Sequence, residues 1–225
     1  MLGQNDGRIT VDEASFDMTL LIELTIILLY GQLRIDFVVN RETRMATLQF
    51  NTVMQRNYSA AIQDILDAID EKEHVAPKRD WIRSPMLNGW PLKFRNLAII
   101  YVPERSGLLD GVYWNEIRGG FNRELSPAAA LVLTDRHIVL IAEEKGIGWF
   151  QFLHHGKHGA VMTYFPLDRL AAFHIKAHKR FSVLELVGHE SQGIEVMIPT
   201  DKQEAVSRLI ENGAGPCPLQ PLQSC

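Results

Sequence analysis

Cysteine is nearly absent from this 225-residue chain: Cys217 and Cys225 both sit in a proline-rich tail. No disulfide framework or cysteine metal knuckle is written into it, and a reducing, cytoplasmic setting is expected. Excess positive charge is lacking too, since 23 Lys and Arg face 27 Asp and Glu for a formal net charge of −4. That balance removes the basic footprint of phosphate-backbone binding, so no nucleic-acid partner is expected. No hydrophobic run is long. The most apolar stretch, 18–30 (MTLLIELTIILLY), carries Glu23 inside it and falls short of the about 20 residues a membrane helix needs. The acidic segment before it lacks a cationic start, an apolar run and a small-residue cleavage site, so no export signal is expected.

What is present is ordinary globular composition, 46% hydrophobic and 22% charged, with legible periods. Leu33, Ile35, Phe37 and Val39 alternate with Gln32, Arg34 and Asp36; Ala46, Leu48 and Phe50 alternate with Thr47, Gln49 and Asn51. Around a polar turn at 41–44 these predict an antiparallel hairpin. Ile62, Ile65, Leu66 and Ile69 then recur at helical spacing, with Asn57 or Ser59 as the expected N-cap. The same order returns near the C-terminus: strands at 182–187 and 194–198, then a helix. Thr200 and Gln203 predict its capping box, Ala205, Val206, Leu209 and Ile210 its buried stripe, and Gly213 its C-cap. Strand, turn, strand and helix thus occur twice, which reads as a divergent repeat. Pro77, Pro85, Gly89 and Pro91 mark 75–91 as a linker. Further strands are expected at 96–102, 130–133, 138–142, 149–153, 161–165 and 170–175. Short turns between consecutive strands require antiparallel pairing, so the class is α+β.

The phrase 130–141 (ALVLTDRHIVLI), the segment 164–170 (YFPLDRL), the strands SVLELV and IEVMIP and the closing helix together resemble bacterial pleckstrin-homology-like (PH-like) domains. In that family a strand ending in LTD is followed by an immediate return strand and a PL segment before the last hairpin. The resemblance covers roughly half the chain, and 21–69 is similar to the second half of another such domain. It implies an antiparallel β-sandwich or barrel of about seven strands capped by a C-terminal helix, preceded by a partial PH-like repeat, and a docking module rather than an enzyme. The division it implies is a partial repeat at 1–74, a linker at 75–91, a PH-like domain at 92–213 and a disordered tail at 214–225. Lacking early strands, the first copy cannot close a barrel alone: either it packs on the later domain, or the chain is shortened at its N-terminus.

Chemistry-bearing residues are few. His154, His155 and His158 with Lys157 suggest a ligand cluster, but Gly156 and Gly159 make a loop and no Cys or acidic ligand joins, so a solvated hairpin tip is expected and no metal or cofactor. The hairpin carrying His174, Lys176, His178, Lys179 and Arg180 is the best polar site. With Lys157 and His158 it is placed to face one rim of the sandwich and meet anionic headgroups or phosphates, the alternative being a solvated positive face, which is the expected outcome. The family's phosphoinositide binders place their basic motif on the first strand pair, where Arg118 and Arg123 give a thin match. The segment 188–193 (GHESQG) has its glycine misplaced for a nucleophile elbow, and Gly146 and Gly148 lack the third glycine of a dinucleotide loop. Trp81, Trp90 and Trp114 are expected to plug loops. The reading is a non-catalytic interaction module, without cofactor or transmembrane segment, that binds a protein partner or self-associates through sheet edges or the N-terminal helix. The alternatives are a peripheral lipid-headgroup reader using the basic hairpin and a metal-dependent hydrolase using the three histidines.

Overall fold

The fold is described from a computed structural model covering residues 2–5, 8–11, 14–69, 85–103, 106–120, 123–144, 159–189 and 193–213. In chain order the elements are β1 (Leu2–Asn5), β2 (Arg8–Val11), β3 (Thr19–Ile27), β4 (Tyr30–Val39), β5 (Glu42–Asn51), α1 (Gln55–Ile69), α2 (Leu92–Tyr101), β6 (Leu108–Trp114), β7 (Ile117–Arg118), β8 (Glu124–Ser126), β9 (Ala129–Thr134), β10 (His137–Glu144), β11 (Gly159–Pro166), β12 (Leu170–Ala177), β13 (Phe181–Gly188), β14 (Gly193–Pro199) and α3 (Gln203–Gly213). Seven strands form one antiparallel sheet in the order β5-β4-β3-β11-β10-β9-β6. A second sheet is β12-β13-β14, and β1-β2 and β7-β8 are short ribbons.

Because side chains alternate across a strand, the large sheet has two apolar faces. Ala130, Val132, Val139, Ile141, Met162 and Tyr164 point one way and pack with Ile22, Leu24 and Leu33 under α1 and α2. Ala129, Leu131, Leu133, Ile138, Leu140 and Phe165 point the other way, against Leu184, Leu186 and Ile198 of the small sheet and Val206, Leu209 and Ile210 of α3. The result is two helices, a large sheet, then a small sheet with α3. Burial on both faces explains why β9 and the first half of β10 are apolar without alternation. The α+β antiparallel class and the C-terminal helix are therefore as expected. Among the described residues, however, the large sheet is open and ends in two edge strands, and no barrel closes.

The N-terminal hairpin extends the later part directly. β3 pairs with β11 from Gly159↔Ile27 to Tyr164↔Ile22, so the sheet continues across residues on both sides of 75–91. The expected turn at 41–44 is tighter than predicted. Asn40 and Arg41 alone make it, with φ of 53° and 67°, the left-handed pair of a two-residue hairpin loop.

Three local expectations are corrected. The stretch 96–102 is not a strand: 96–101 belongs to α2 and Val102 is its C-cap, Phe94, Ala98 and Tyr101 bury one helical stripe, and Pro91 precedes the first turn, where its missing N–H costs nothing. Neither Asn57 nor Ser59 caps α1, which begins at Gln55 after a 3-10 turn. The capping box at Thr200 is not formed. Pro199 precedes a 3-10 turn there without a side-chain cap, and Ser182 Oγ donates to Gln203 Oε1 at 3.1 Å. Gly213 ends α3 as expected, for a packing reason: a Cβ there would run into the side chain of Leu133.

Candidate binding surfaces

The LTD phrase has a structural duty in this fold. Thr134 Oγ1 accepts from the backbone N–H groups of His137 at 2.8 Å and Arg136 at 3.2 Å, and donates to His137 O at 3.0 Å. Asp135 fastens the segment ahead of β6. Its Oδ1 accepts from Gly107 N at 2.8 Å, and its own N–H donates to Gly107 O at 2.9 Å. Arg136 reaches across to Asp67 of α1 at 3.5 Å. The motif therefore ties the β9–β10 turn to two other elements.

Between α1 and the C-terminal end of α2 lies a cleft of about 820 Å³. Ile62, Leu66, Tyr101 and Tyr164 line it as buried apolar groups, and Ser59, Gln63 and Asp64 contribute polar atoms. Exposed Val53 and Ile100 also line it. The wall is held by Tyr164, whose hydroxyl donates to Tyr101 O at 2.9 Å and whose ionisation burial pushes far above the ordinary phenol range. The other end of α2 is anchored by Lys93, which donates to Glu143 at 3.0 Å and to Gly159 O at 3.3 Å.

This cleft is invisible to sequence reasoning. Reading 96–102 as a strand removes one wall, and the exposed flank of α1 carries no motif. The signal that could have found α2 is the Phe94, Ala98, Tyr101 spacing after Pro91.

On the opposite face of the large sheet, β3 and β4 carry a charged group. Arg34 donates twice to Asp36, at 2.9 and 2.8 Å, and Asp36 is buried. Glu23 lies opposite Arg34 in the β3–β4 register. Burial raises its pKa above the ordinary carboxylate value, nearby Arg34 offsets part of this, and Asp36 adds to it. Glu144 is raised as well, by burial first and by repulsion from Glu23 second.

The basic hairpin is present at the β12–β13 turn, with a mixed charge pattern. Lys176 is paired with Glu185 at 2.8 Å. That hydrogen bond raises the lysine pKa and lowers the carboxylate pKa. Glu195 sits beside Glu185 on β14, so this outer sheet face carries acidic groups next to the basic ones. Lys179 and Arg180 are exposed in the turn, where His178 N donates to Phe181 O at 2.8 Å and the two rings stack at 4.9 Å.

His154, His155, Lys157 and His158 lie outside the described residues, as do Gly146, Gly148, Trp81, the strand expected at 149–153 and the tail 214–225. The Lys157 and His158 side of the basic rim is thus not placed beside Lys176, Lys179 and Arg180. Among the described residues no three His, Cys, Asp or Glu converge, and no helix is long and apolar enough to cross a membrane. Arg118 Nε donates to Glu116 at 2.6 Å. Trp114 is buried in the core between the sheets, and its indole N–H finds no acceptor among the described residues. Trp90 packs near Tyr113, with ring centroids 6.3 Å apart. The chain matches no known protein family, and no curated protein is significantly similar to it.

Proposed function

We propose that this protein is a non-catalytic PH-like interaction module that works by protein–protein contact, self-association included. The PH-like assignment is supported by four strands, β6 and β9–β11, facing three, β12–β14, with α3 packed between them. The meander and helix β3–β4–β5–α1 parallels β12–β13–β14–α3 in element order, which supports reading the N-terminal part as a partial second copy.

The observation that carries the interaction role is the open sheet. β5 is exposed at most of its length, with Met45 and Leu48 uncovered, and an unpaired strand edge is a template for another chain. The cleft beside α1 adds an apolar centre within polar surroundings, the composition of a contact surface. Sedimentation velocity of the full chain across the micromolar range tests this reading. A concentration-dependent dimer is expected, and a protein that stays monomeric throughout contradicts self-association.

Lys179 and Arg180, which make no ion pair among the described residues, favour the lipid reader as a second reading. Co-sedimentation with anionic vesicles separates the two. On the leading reading, the native chain and a Lys176→Glu, Lys179→Glu, Arg180→Glu triple variant both stay in the supernatant. Vesicle binding by the native chain that the triple variant loses supports the lipid reader instead.

A further inference from the structure

We propose that two copies of the chain pair through β5 in an antiparallel register centred on Thr47, joining their seven-stranded sheets across a two-fold axis. The proposal rests on the self-association reading and specifies its surface and register.

The free edge of β5 is fixed by its hairpin. The two-residue turn at Asn40 and Arg41 makes Val39↔Glu42 the first hydrogen-bonded pair, and the β4–β5 register runs without a bulge to Tyr30↔Asn51. Alternation then assigns the inward backbone groups to Glu42, Arg44, Ala46, Leu48 and Phe50. The N–H and C=O groups of Thr43, Met45, Thr47, Gln49 and Asn51 point outward. Among the described residues no strand pairs with that side.

The two edges of the large sheet differ in protection. At the β6 edge a bulge interrupts the register between Leu108 and Asp110, and Asp110 turns its carboxylate onto Gly111 N at 2.7 Å. β5 has no bulge, no proline and no lysine, and its Met45 and Leu48 are 59% and 47% exposed. Its charges in this stretch, Glu42 and Arg44, lie at the turn end of the strand and pair with each other at 2.8 Å, which leaves Met45 to Asn51 without a charge, bulge or proline to keep the edge from pairing.

The occupant follows from self-complementarity. A two-fold perpendicular to the sheet keeps each side chain on its own face, so only residues of like parity can oppose one another. With Thr47 on the axis, Thr47 meets its own copy, Met45 meets Gln49 and Thr43 meets Asn51 on one face. On the helix face Ala46 meets Leu48, small against large, and Arg44 lies opposite Phe50, whose ring stays stacked on Tyr58. No like charges face each other, and every outward backbone group of 43–51 gains a partner. Centring on Ala46 instead would set Glu42 against Phe50 and Arg44 against Leu48.

Thr47→Pro is the test, because proline removes an outward N–H that the β4–β5 ladder does not use. Sedimentation velocity is expected to show a dimer for the native chain and at least a tenfold weaker dimer for the variant, with the far-UV spectrum retained. A native chain that is monomeric overturns the proposal together with the self-association reading. A native dimer that survives Thr47→Pro unchanged overturns the β5 interface alone. Should the proline variant lose its fold, Thr47→Cys in a Cys217→Ser, Cys225→Ser background decides. Opposed hydrogen-bonded residues lie about 5.5 Å apart at Cα, within disulfide reach, so mild oxidation should yield covalent dimers. Their absence in that variant overturns the register.

Discussion

Thr134 shows how a single hydroxyl can carry a turn. It is fully buried and serves two backbone N–H groups while donating to a third partner. Thr134→Val keeps the shape and removes all three contacts, leaving buried donors unsatisfied. The expected loss is about 1–3 kcal/mol, read as a lower urea midpoint at unchanged slope. Glu23 tests the electrostatics of the opposite face. The folded state raises its pKa above the ordinary 4.5, so between that value and its folded pKa the native chain holds a proton that the unfolded chain has released. Stability contributed by this group therefore falls as pH rises through that window. Glu23→Gln cannot ionise, so its stability relative to the native chain should rise from about pH 4 to about pH 7, measured by denaturation at both. An identical pH slope in the two proteins would count against the burial argument. At this scale the sequence was a partial guide. LTD is visible as a pattern, but its role as a clamp on Gly107 and the β9–β10 turn depends on contacts no local window contains.

Elements were most legible where one period dominated. The alternation of β4 and β5 and the stripes of α1 and α3 follow from residues a few positions apart, and those elements lie where periodicity puts them. α2 differs from the strand expected at 96–102 because a short apolar run with Ile99 and Ile100 is compatible with either period; what decides it is packing of Phe94, Ala98 and Tyr101 on the large sheet. The helix starts differ from expectation for a related reason. Ser, Asn and Thr mark helix starts only when no neighbouring group supplies the partner, and Gln203 is engaged by Ser182 instead. The seam between β5 and α1 offers a direct test. Gly31 faces Phe50 so closely that a Cβ would enter the ring, and that ring stacks on Tyr58 of α1 at 3.8 Å and 16°. Gly31→Ala should displace the stack and cost about 1–3 kcal/mol by overpacking, seen as a lower thermal midpoint. An unshifted midpoint would mean that the stack contributes little to seating α1.

For the whole molecule, the central fact is that β3 and β11 share one ladder. The sequence offered two outcomes for the N-terminal segment and could not choose, because pairing between strands so far apart leaves no local signature. The cleft was illegible for the same reason, since α1 and α2 are brought together on the sheet that both cover. A joint sheet with a core on each face should unfold as a unit. Tryptophan fluorescence, to which all four tryptophans contribute, none of them before residue 81, and far-UV dichroism, which reports the N-terminal strands as well, are expected to give coincident denaturation curves. Separated midpoints would show that the N-terminal meander is only loosely coupled.

The same ladder sets a timetable during synthesis. Gly159, which meets Ile27, is translated long after it, and at ribosomal speeds of about 5–20 residues per second the delay is roughly 7–26 s. Throughout that interval the nascent β3 has made its neighbour on one flank and still awaits the other. A chaperone that binds extended apolar segments would find its target there, and release would coincide with the arrival of β11.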